Sequence, residues 1–432
     1  MKQTRYQTIN SKLFIENRKR FVAQMKSNSI AIFHSGDQFL QSADANHAFI
    51  QNPDLFYLTG IDQEDSILIL FPDAPTKAWR EILFIKETSD TILVWEGYKY
   101  TKEQATEISG IQSTVWNQQF ELLFSSMMHY AKNIYINLNE HDRAHYDGDY
   151  KDLRFVNKCK VAFPLHHYER SAPILAALRT SKSDIEIQLM QKASDITEKA
   201  FRRVLKFVKP GVTEYEIEAE ITHEFIRNTA VHAYNPIIAS GSDSCILHYN
   251  DNNKECKSGD VLLMDFGSGY ANYSSDLTRT VPVNGKFTKR QKEVYNAVLR
   301  VFRAAASMMS TTIKLDELNM EVGKIMEGEL IGLKLLNKQE VAKQNKNQPL
   351  FKKYFPHGTS HFLGINVHDV GNRFEKIAAG TVLTCEPGIY IREEGFGIRI
   401  ENDILVTKKG TVDLMKNIPI EADEIESIMN KK

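Results

Sequence analysis

The sequence predicts a two-domain protein of the α/β class, in which a small N-terminal α/β domain precedes a larger domain of helices and strands. Three observations support this prediction. The chain has 432 residues, which is more than one hydrophobic core usually organises. Up to about residue 170, short β-like runs alternate with helix-favouring segments. Beyond that point the pattern changes to long amphipathic helices and a hairpin, so we predict domains at residues 1–171 and 172–432.

Five short apolar runs are the predicted strands of the first domain. They are SIAIF, SILILF, EILFI, TILVW and NIYINL, which begin at Ser29, Ser66, Glu81, Thr91 and Asn133. Polar or helix-favouring segments separate them. The aromatic-rich stretch from Ser42 to Gly60, SADANHAFIQNPDLFYLTG, is predicted to be a loop.

Three helices are predicted for the second domain. Apolar residues at helical spacing run from Ser183 to Val208 and stop at a Lys-Pro-Gly sequence. Thr213 and Glu216 form a capping box that begins the second helix. Thr288 and Gln291 form another at the start of the third.

The composition describes an ordinary globular protein without a strong overall charge. Hydrophobic residues make up 42% and charged residues 25%, and the formal net charge is -1. This balance indicates no nucleic acid and no membrane as partner, and the longest apolar runs are far short of a membrane span. The four cysteines form no CxxC pair, and the N-terminal twenty residues lack an apolar secretory segment. We therefore expect a reducing, cytoplasmic setting.

The stretch from Gly259 to Thr280, GDVLLMDFGSGYANYSSDLTRT, carries two candidate metal-ligating carboxylates. An apolar run from Val261 to Met264 precedes Asp265. A Gly-Ser-Gly-Tyr turn and a second extended run then lead to Asp276, which indicates a hairpin with two inward carboxylates. Such carboxylates lose hydration and repel each other unless a cation lies between them, and they suit a divalent metal. Turn-forming aspartates beside a glycine loop are the structural alternative.

Four histidines lie in unusual local sequences. In SDSCILHY, an Ile-Leu pair is predicted to place the imidazole of His248 near the end of a strand, and a core histidine is the alternative. HGTSHFLGINVHDVG holds His357, His361 and His368. Imidazole is a frequent metal ligand and a base near neutrality. A zincin-type site is excluded because the sequence has no HExxH.

Two glutamates complete the set of candidate ligands. Glu386 in LTCEPGIYI directly precedes a Pro-Gly turn, and Glu401 in GIRIENDILV shares a predicted strand face with Arg399. A surface ion pair between Arg399 and Glu401 is the alternative. Two Asp, one His and two Glu, all at ends of apolar β-runs, are improbable as independent accidents. Together they predict a two-metal carboxylate site.

The order of MDFG, SDLTRT, HGTSHFLG, CEPGIY and IRIEND resembles the pita-bread metallopeptidases. QNPDLFYLTG resembles the N-terminal domain of the Xaa-Pro aminopeptidases (aminopeptidase P), and the similarity spans about residues 29 to 410. The resemblance implies a pita-bread (creatinase/aminopeptidase-like) catalytic domain after the α/β domain. It also implies an enzyme that releases the N-terminal residue from peptides whose second residue is proline.

The resemblance implies a particular set of metal ligands. Asp276 and Glu401 bridge two divalent metal ions. Asp265 completes the ligand shell of one ion, and His361 with Glu386 completes that of the other. Manganese is the usual metal of the family, while four carboxylates and one imidazole suit manganese, cobalt or zinc alike.

The resemblance also assigns catalytic and substrate-binding side chains. Glu386 moves the proton of the attacking water toward the leaving nitrogen. His248 and His368 hydrogen-bond the scissile carbonyl and its developing oxyanion. The candidates for the pocket that receives proline are Tyr234, His357, Tyr390 and Arg399. Arg399 is equally a candidate for holding Glu401 in place.

Three other functions remain open. A prolidase shares the five ligands but accepts only dipeptides, and a creatinase-like amidinohydrolase uses this fold without metal. A pita-bread module that has lost its ligands binds peptides without cleaving them. The intact ligands argue against the last two. Trp95 in TILVWEG lies where the family can offer an aromatic side chain to a neighbouring subunit, so we expect a homodimer or homotetramer.

Overall fold

The computed structural model describes residues 2, 4–138, 140, 141, 143, 148–345 and 347–431, and it divides into two compact units. The first unit ends at Arg179 and the second begins at Thr180. The boundary predicted from the sequence, after residue 171, lies directly before the helix Ala172–Thr180. The two units therefore divide at the end of this helix rather than at its start.

A six-stranded mixed sheet forms the centre of the first unit. Its strands, in spatial order, are Ser113–Trp116, Glu81–Ile85, Ile67–Leu70, Ser29–His34, Asn133–Ile136 and His167–Arg170. Every residue of Ser29–His34 is buried, and this strand pairs antiparallel with one neighbour and parallel with the other. A separate hairpin consists of Leu40–Ser42 and Ala45–Asn46. The helices are Lys12–Val22, Pro53–Thr59, Asp90–Glu96, Lys102–Ser109, Phe120–Met128, Lys151–Ala162 and Ala172–Thr180.

The strand prediction for the first unit is confirmed at four of its five apolar runs and is wrong for TILVW. Those residues lie in the helix Asp90–Glu96. The Ser89 side chain accepts a hydrogen bond from the Ile92 backbone N–H at 3.2 Å, so an N-cap outweighs the β-propensity of the run. Within the six-stranded sheet, the two strands that the sequence did not reveal, Ser113–Trp116 and His167–Arg170, are the edges. Both are partly exposed, which explains their lack of an apolar pattern.

The predicted loop from Ser42 to Gly60 is also wrong in its second half, which forms the helix Pro53–Thr59. The Asn52 side chain caps this helix by accepting from the Asp54 backbone N–H at 2.9 Å. At the buried C-terminal end of the helix, the Leu58 carbonyl accepts a hydrogen bond from the buried Arg18 side chain at 2.8 Å. Its aromatic residues are therefore core residues.

The second unit combines two three-stranded sheets, a four-stranded sheet and a two-stranded sheet. Its strands are Val231–His232, Ile237–Ser240, Val261–Phe266, Ser268–Tyr270, Tyr273–Ser274, Leu277–Pro282, Phe362–Leu363, Val382–Cys385, Gly388–Ile391, Phe396–Arg399, Asn402–Thr407 and Gly410–Asp413. Its helices are Asp184–Phe207, Glu214–Arg227, Lys289–Met308, Leu315–Gly332, Lys338–Ala342 and Ala422–Asn430.

The three helices predicted for this unit are confirmed. Asp184–Phe207 is a single helix of 24 residues. The capping boxes of Thr213 with Glu216 and of Thr288 with Gln291 are both formed. Among the described helices, none is both long enough and apolar enough to cross a membrane.

The predicted hairpin around Asp265 and Asp276 is confirmed, but its turn lies elsewhere. Val261–Phe266 pairs antiparallel with Leu277–Pro282. The Gly-Ser-Gly-Tyr sequence is the strand Ser268–Tyr270 rather than a turn. The reversal follows at Ala271 and Asn272, which adopt positive φ angles of 51° and 64°.

A glycine at the neck of this hairpin permits a close backbone approach. A Cβ atom at Gly267 would lie 1.8 Å from the Ser275 carbonyl oxygen. At Gly269, two residues along the same strand, a Cβ atom would come no closer than 3.3 Å, to the Val231 side chain. Neither glycine has a positive φ, so the two positions differ mainly in the space beside them.

We predict that Gly267→Ala lowers the free energy of unfolding by about 3 kcal/mol or more, since the backbone must move. Gly269→Ala is the matched control and should change the free energy of unfolding by less than about 1 kcal/mol. Urea denaturation of both variants measures the difference. Equal stability of the two variants would show that the hairpin neck is not closely packed.

Candidate metal centre

Three of the predicted ligands form a compact buried cluster in the second unit. Asp276, His361 and Glu401 each offer one ligand atom, and these atoms lie within 4.8 Å of one another. Each residue directly precedes a β-strand: Asp276 precedes Leu277–Pro282, His361 precedes Phe362–Leu363 and Glu401 precedes Asn402–Thr407. Strand ends fix the backbone at these positions, so the side chains meet in a defined arrangement.

The other two predicted ligands, Glu386 and Asp265, adjoin this cluster. Glu386 directly follows the strand Val382–Cys385, and its Oε1 lies 3.7 Å from His361 Nε2. The same Nε2 lies 3.4 Å from Asp276 Oδ2. Asp265 is joined to Asp276 by the Tyr234 hydroxyl, at 2.6 Å from Asp265 Oδ1 and 2.5 Å from Asp276 Oδ1. The structure therefore places all five side chains together.

His361 is oriented so that one ring nitrogen faces the carboxylates. Its Nδ1 lies 3.0 Å from the Phe362 carbonyl oxygen. A carbonyl only accepts, so Nδ1 carries the hydrogen in this bond. In the neutral ring, Nε2 then has a free lone pair. Burial lowers the pKa of His361, but Asp276 and Glu386 raise it above its usual value overall. An imidazole held in this way is suited to ligate a cation through Nε2.

The carboxyl groups of the cluster repel one another in a poorly solvated space. Burial, followed by the charge of Asp276, raises the pKa of Glu401 well above its usual value. Burial also raises the pKa of Asp265, despite the opposing effect of Arg399, and it raises the pKa of Glu386 to about 7. Ionising all of these groups at neutral pH is therefore costly unless further positive charge lies among them. The donor set thus fits divalent cations.

Arg399 is a buried cation of the site, and its carboxylate partner is Asp265. Its Nη2 donates to Asp265 Oδ2, and its Nε donates to Thr278 Oγ1 at 3.0 Å. Thr278 in turn donates to Glu401 Oε2 at 2.6 Å. The strand ends at Arg399, so the predicted continuous strand face through Glu401 is wrong. A threonine hydroxyl, rather than a direct ion pair, connects Arg399 to Glu401.

Tyr390 extends this network to His357. The Tyr390 hydroxyl accepts from Arg399 Nη1 at 2.9 Å and lies 2.7 Å from His357 Nε2. His357 Nδ1 lies 2.8 Å from the Gly358 carbonyl oxygen, so Nδ1 carries a hydrogen. Burial, and then the charge of Arg399, lower the pKa of His357 to about 3, in agreement with the neutral form. Three of the predicted pocket residues, His357, Tyr390 and Arg399, are therefore joined by hydrogen bonds.

His248 and His368 differ from the other candidates because they are exposed. The predicted position of His248 at a strand end is wrong, because it lies in a turn after the 3-10 helix Gly241–Cys245. Its exposure also excludes the core-histidine alternative. His248 is near enough to contribute to the lowered pKa of His357. The His368 ring lies 4.5 Å from the His361 ring, centroid to centroid.

Several residues that hold the ligands were not identified from the sequence. Thr278 contacts Glu401 as described, and Thr384 donates to Glu386 Oε1 at 3.4 Å. Asp403, which is fully buried, accepts from the Asp276 backbone N–H at 3.1 Å. Thr278, Thr384 and Asp403 each lie two residues from a predicted ligand in the sequence. That spacing was the only sequence signal that could have identified them. Tyr234 was expected in the proline pocket, and its hydroxyl lies instead on the two aspartates.

Comparison with known proteins agrees with this geometry. The sequence model of the family "Metallopeptidase family M24" matches residues 188–408. The sequence model of the aminopeptidase P N-terminal domain matches residues 14–135. The chain belongs to metallopeptidase family M24. The predicted fold, an α/β N-terminal domain followed by a pita-bread catalytic domain, is confirmed.

Several of the similar proteins are aminopeptidases, and an Xaa-Pro dipeptidase of Pongo abelii is also similar, at 28% identity over 96% of this chain. The Xaa-Pro aminopeptidase of Escherichia coli is 33% identical over 448 residues, covering 98% of this chain and 98% of the relative. The structure of zinc-substituted E. coli aminopeptidase P in complex with product has a TM-score of 0.87 and 31% identity, covering 99% of this chain and 100% of that chain. The structure of Pseudomonas aeruginosa aminopeptidase PepP has a TM-score of 0.88 and 28% identity, covering 98% of each chain.

We predict that Thr278→Val weakens binding of divalent metal by about 10- to 100-fold, because the hydroxyl orients the Glu401 carboxylate. Thr280→Val is the matched control. Thr280 lies on the same strand and is equally buried, but its hydroxyl bonds only the Arg399 backbone among the described contacts. Calorimetric titration with manganese measures both variants. Equal losses of affinity would contradict an orienting role for Thr278.

Proposed function

We propose that this protein is a metal-dependent Xaa-Pro aminopeptidase, which releases the N-terminal residue from peptides with proline in the second position. The observation that carries the proposal is the cluster of four carboxylates and one imidazole at strand ends, in which Asp276, His361 and Glu401 are buried. Nearly full-length similarity to proteins of this activity supports it. The cytoplasm, as expected from the sequence, is the proposed compartment.

We assign the metal ligands as the family resemblance implies. Asp276 and Glu401 would each contact two ions, Asp265 would complete the shell of one, and His361 with Glu386 that of the other. Asp265 already accepts from Tyr234 and Arg399, but a carboxylate has about four lone-pair sites and retains sites for a cation. Manganese is the proposed metal, with zinc and cobalt compatible with the same donors.

Two divalent cations, when bound, supply Lewis-acid polarisation of the scissile carbonyl and activation of a water molecule near neutral pH. The side chains of the protein provide proton transfer and orientation. Glu386 accepts the proton of the attacking water and passes it to the leaving nitrogen. His248 and His368 donate hydrogen bonds to the carbonyl oxygen as negative charge develops on it. Their exposure in the absence of substrate leaves both imidazoles accessible to a peptide.

The surroundings of Arg399 favour an aminopeptidase over a prolidase. A prolidase must bind the carboxylate of its dipeptide, usually with a cation. Arg399 is buried, and its three donor nitrogens contact Asp265, Thr278 and Tyr390. Its donor nitrogens are therefore already engaged, so Arg399 is not available to bind the carboxylate of a dipeptide.

We also propose a homodimer or homotetramer. Trp95, the residue that motivates this proposal, is 83% exposed on the helix Asp90–Glu96. A neighbouring subunit would cover an aromatic side chain that water otherwise surrounds. Light scattering coupled to size-exclusion chromatography measures the oligomeric state, and a monomer at micromolar concentration would contradict the proposal.

We predict that His248→Ala and His368→Ala each lower kcat by about 100- to 1,000-fold, because each removes one donor to the oxyanion. Both side chains are exposed, so the variants should fold and bind metal as the unchanged protein does. His223→Ala is the control, since His223 is an exposed histidine of the helix Glu214–Arg227 without a proposed role. Turnover per bound metal is the measurement, and normal turnover in either variant would remove that histidine from the mechanism.

We predict cleavage of Xaa-Pro-Yaa and longer peptides after the first residue, and refusal of the same peptides once N-acetylated. The free amine is expected to bind beside Asp265 and its metal, so acetylation removes the anchor. Product analysis by mass spectrometry, with Xaa-Ala-Yaa peptides as controls, tests the specificity. Cleavage confined to Xaa-Pro dipeptides would make the protein a prolidase. Equal cleavage of the alanine series would remove the requirement for proline.

A further inference from the structure

A large cavity lies beside the carboxylate cluster on the side of His357. Its volume is about 790 Å3, within the range of ligand-binding pockets. One wall is the helix Leu315–Gly332, and the other includes the 3-10 helix Leu350–Lys353. The Phe351 ring packs over Gly323, where a Cβ atom would lie 2.5 Å from the ring. This contact joins the two walls.

One end of the cavity adjoins the proposed catalytic site. His357, Gly358 and Thr359 line this end. His357 Nδ1 lies 3.7 Å from Glu386 Oε2, and the Thr359 carbonyl accepts from the Glu386 backbone N–H at 2.8 Å. Asn319 Oδ1 accepts from the Thr359 N–H at 2.8 Å and so attaches this end to the helix. A ligand that fills the cavity would thus begin within reach of the reacting groups.

The wall combines apolar surface with a few charges. Its apolar residues are Met320, Pro349, Phe351, Phe355 and Pro356. Both acidic residues of the wall have partners, because Glu327 accepts from Gln344 at 2.6 Å and Asp316 lies 4.0 Å from Arg373.

The basic residues of the wall are Lys324 and Lys352. Lys324 is paired with Glu321 at 2.6 Å. Lys352 is exposed, and none of the ion pairs in the described part of the chain includes it. Its ammonium group is the charge that remains available to a ligand.

We propose that this cavity binds the residues that follow proline in a peptide, with the terminal carboxylate beside Lys352. The inference rests on the proposed function and extends the site beyond the scissile bond. A peptide that continues past proline must leave the reaction centre through space joined to it, and this cavity adjoins His357. Apolar walls suit varied side chains, while the terminal carboxylate is the one charge shared by all segments that follow proline.

The test is calorimetric binding of proline-first peptides to the metal-loaded protein, since these peptides correspond to the product and need no turnover. Pro-Ala, Pro-Ala-Ala and Pro-Ala-Ala-Ala are compared as free acids and as amides. Lys352→Gln should weaken binding of the longer free acids by about 2- to 5-fold, the range of a partly exposed ion pair. Lys352→Glu should weaken it further, and the amides should bind all variants equally.

Lys343→Gln is the matched control. Lys343 is an exposed lysine nine residues before Lys352, and it does not line the cavity. It should leave every affinity unchanged, and the melting temperature of each variant should match that of the unchanged protein. Equal binding of acids and amides, or equal losses at every peptide length, would overturn the proposal. Lys352-dependent binding of free acids without any cleavage of Xaa-Pro-Yaa would support the cavity assignment and contradict the proposed function.

Discussion

The second unit is organised around the mutual repulsion of four carboxylates. Asp276 and Glu401 are buried and Asp265 and Glu386 half-buried, and Arg399 is a buried guanidinium beside them. Two like charges about 4 Å apart repel by about 4 kcal/mol at the effective dielectric typical of proteins. A domain is stable by only about 5–15 kcal/mol. Added positive charge in the cluster would therefore stabilise the fold as well as support chemistry.

Hydrogen bonds between the ligands and their neighbours determine how this cluster is oriented. Thr278 connects Glu401 to Arg399, and the Tyr234 hydroxyl connects Asp265 to Asp276. Such contacts hold carboxylate oxygens toward one another against their repulsion. The same network reaches His357 through Tyr390, so the proposed metal site and the proposed proline pocket share one hydrogen-bonded network. A change in either region is expected to affect the other.

Much of this site could be predicted from the sequence because its residues follow short apolar strands. The strands before Asp265 and Glu386 have clear apolar patterns, and turn residues follow them. The sequence could not reveal the partner of Arg399, because the strand ends before Glu401 and the pairing with Asp265 joins distant segments. The exposed turn of His248 was missed because Ile-Leu has the pattern of a strand. In the first unit, the apolar run TILVW was predicted to be a strand, but it forms a helix that Ser89 caps.

The central claim is that cations balance the carboxylate cluster, and metal analysis of the purified protein tests it most directly. Elemental analysis should find two divalent ions per chain. Exhaustive chelation should abolish hydrolysis and lower the melting temperature, and manganese should restore both. Asp276→Ala should reduce the metal content, because one bridging carboxylate would serve both ions. Full hydrolysis by metal-free protein, or a melting temperature unchanged by chelation, would contradict this account.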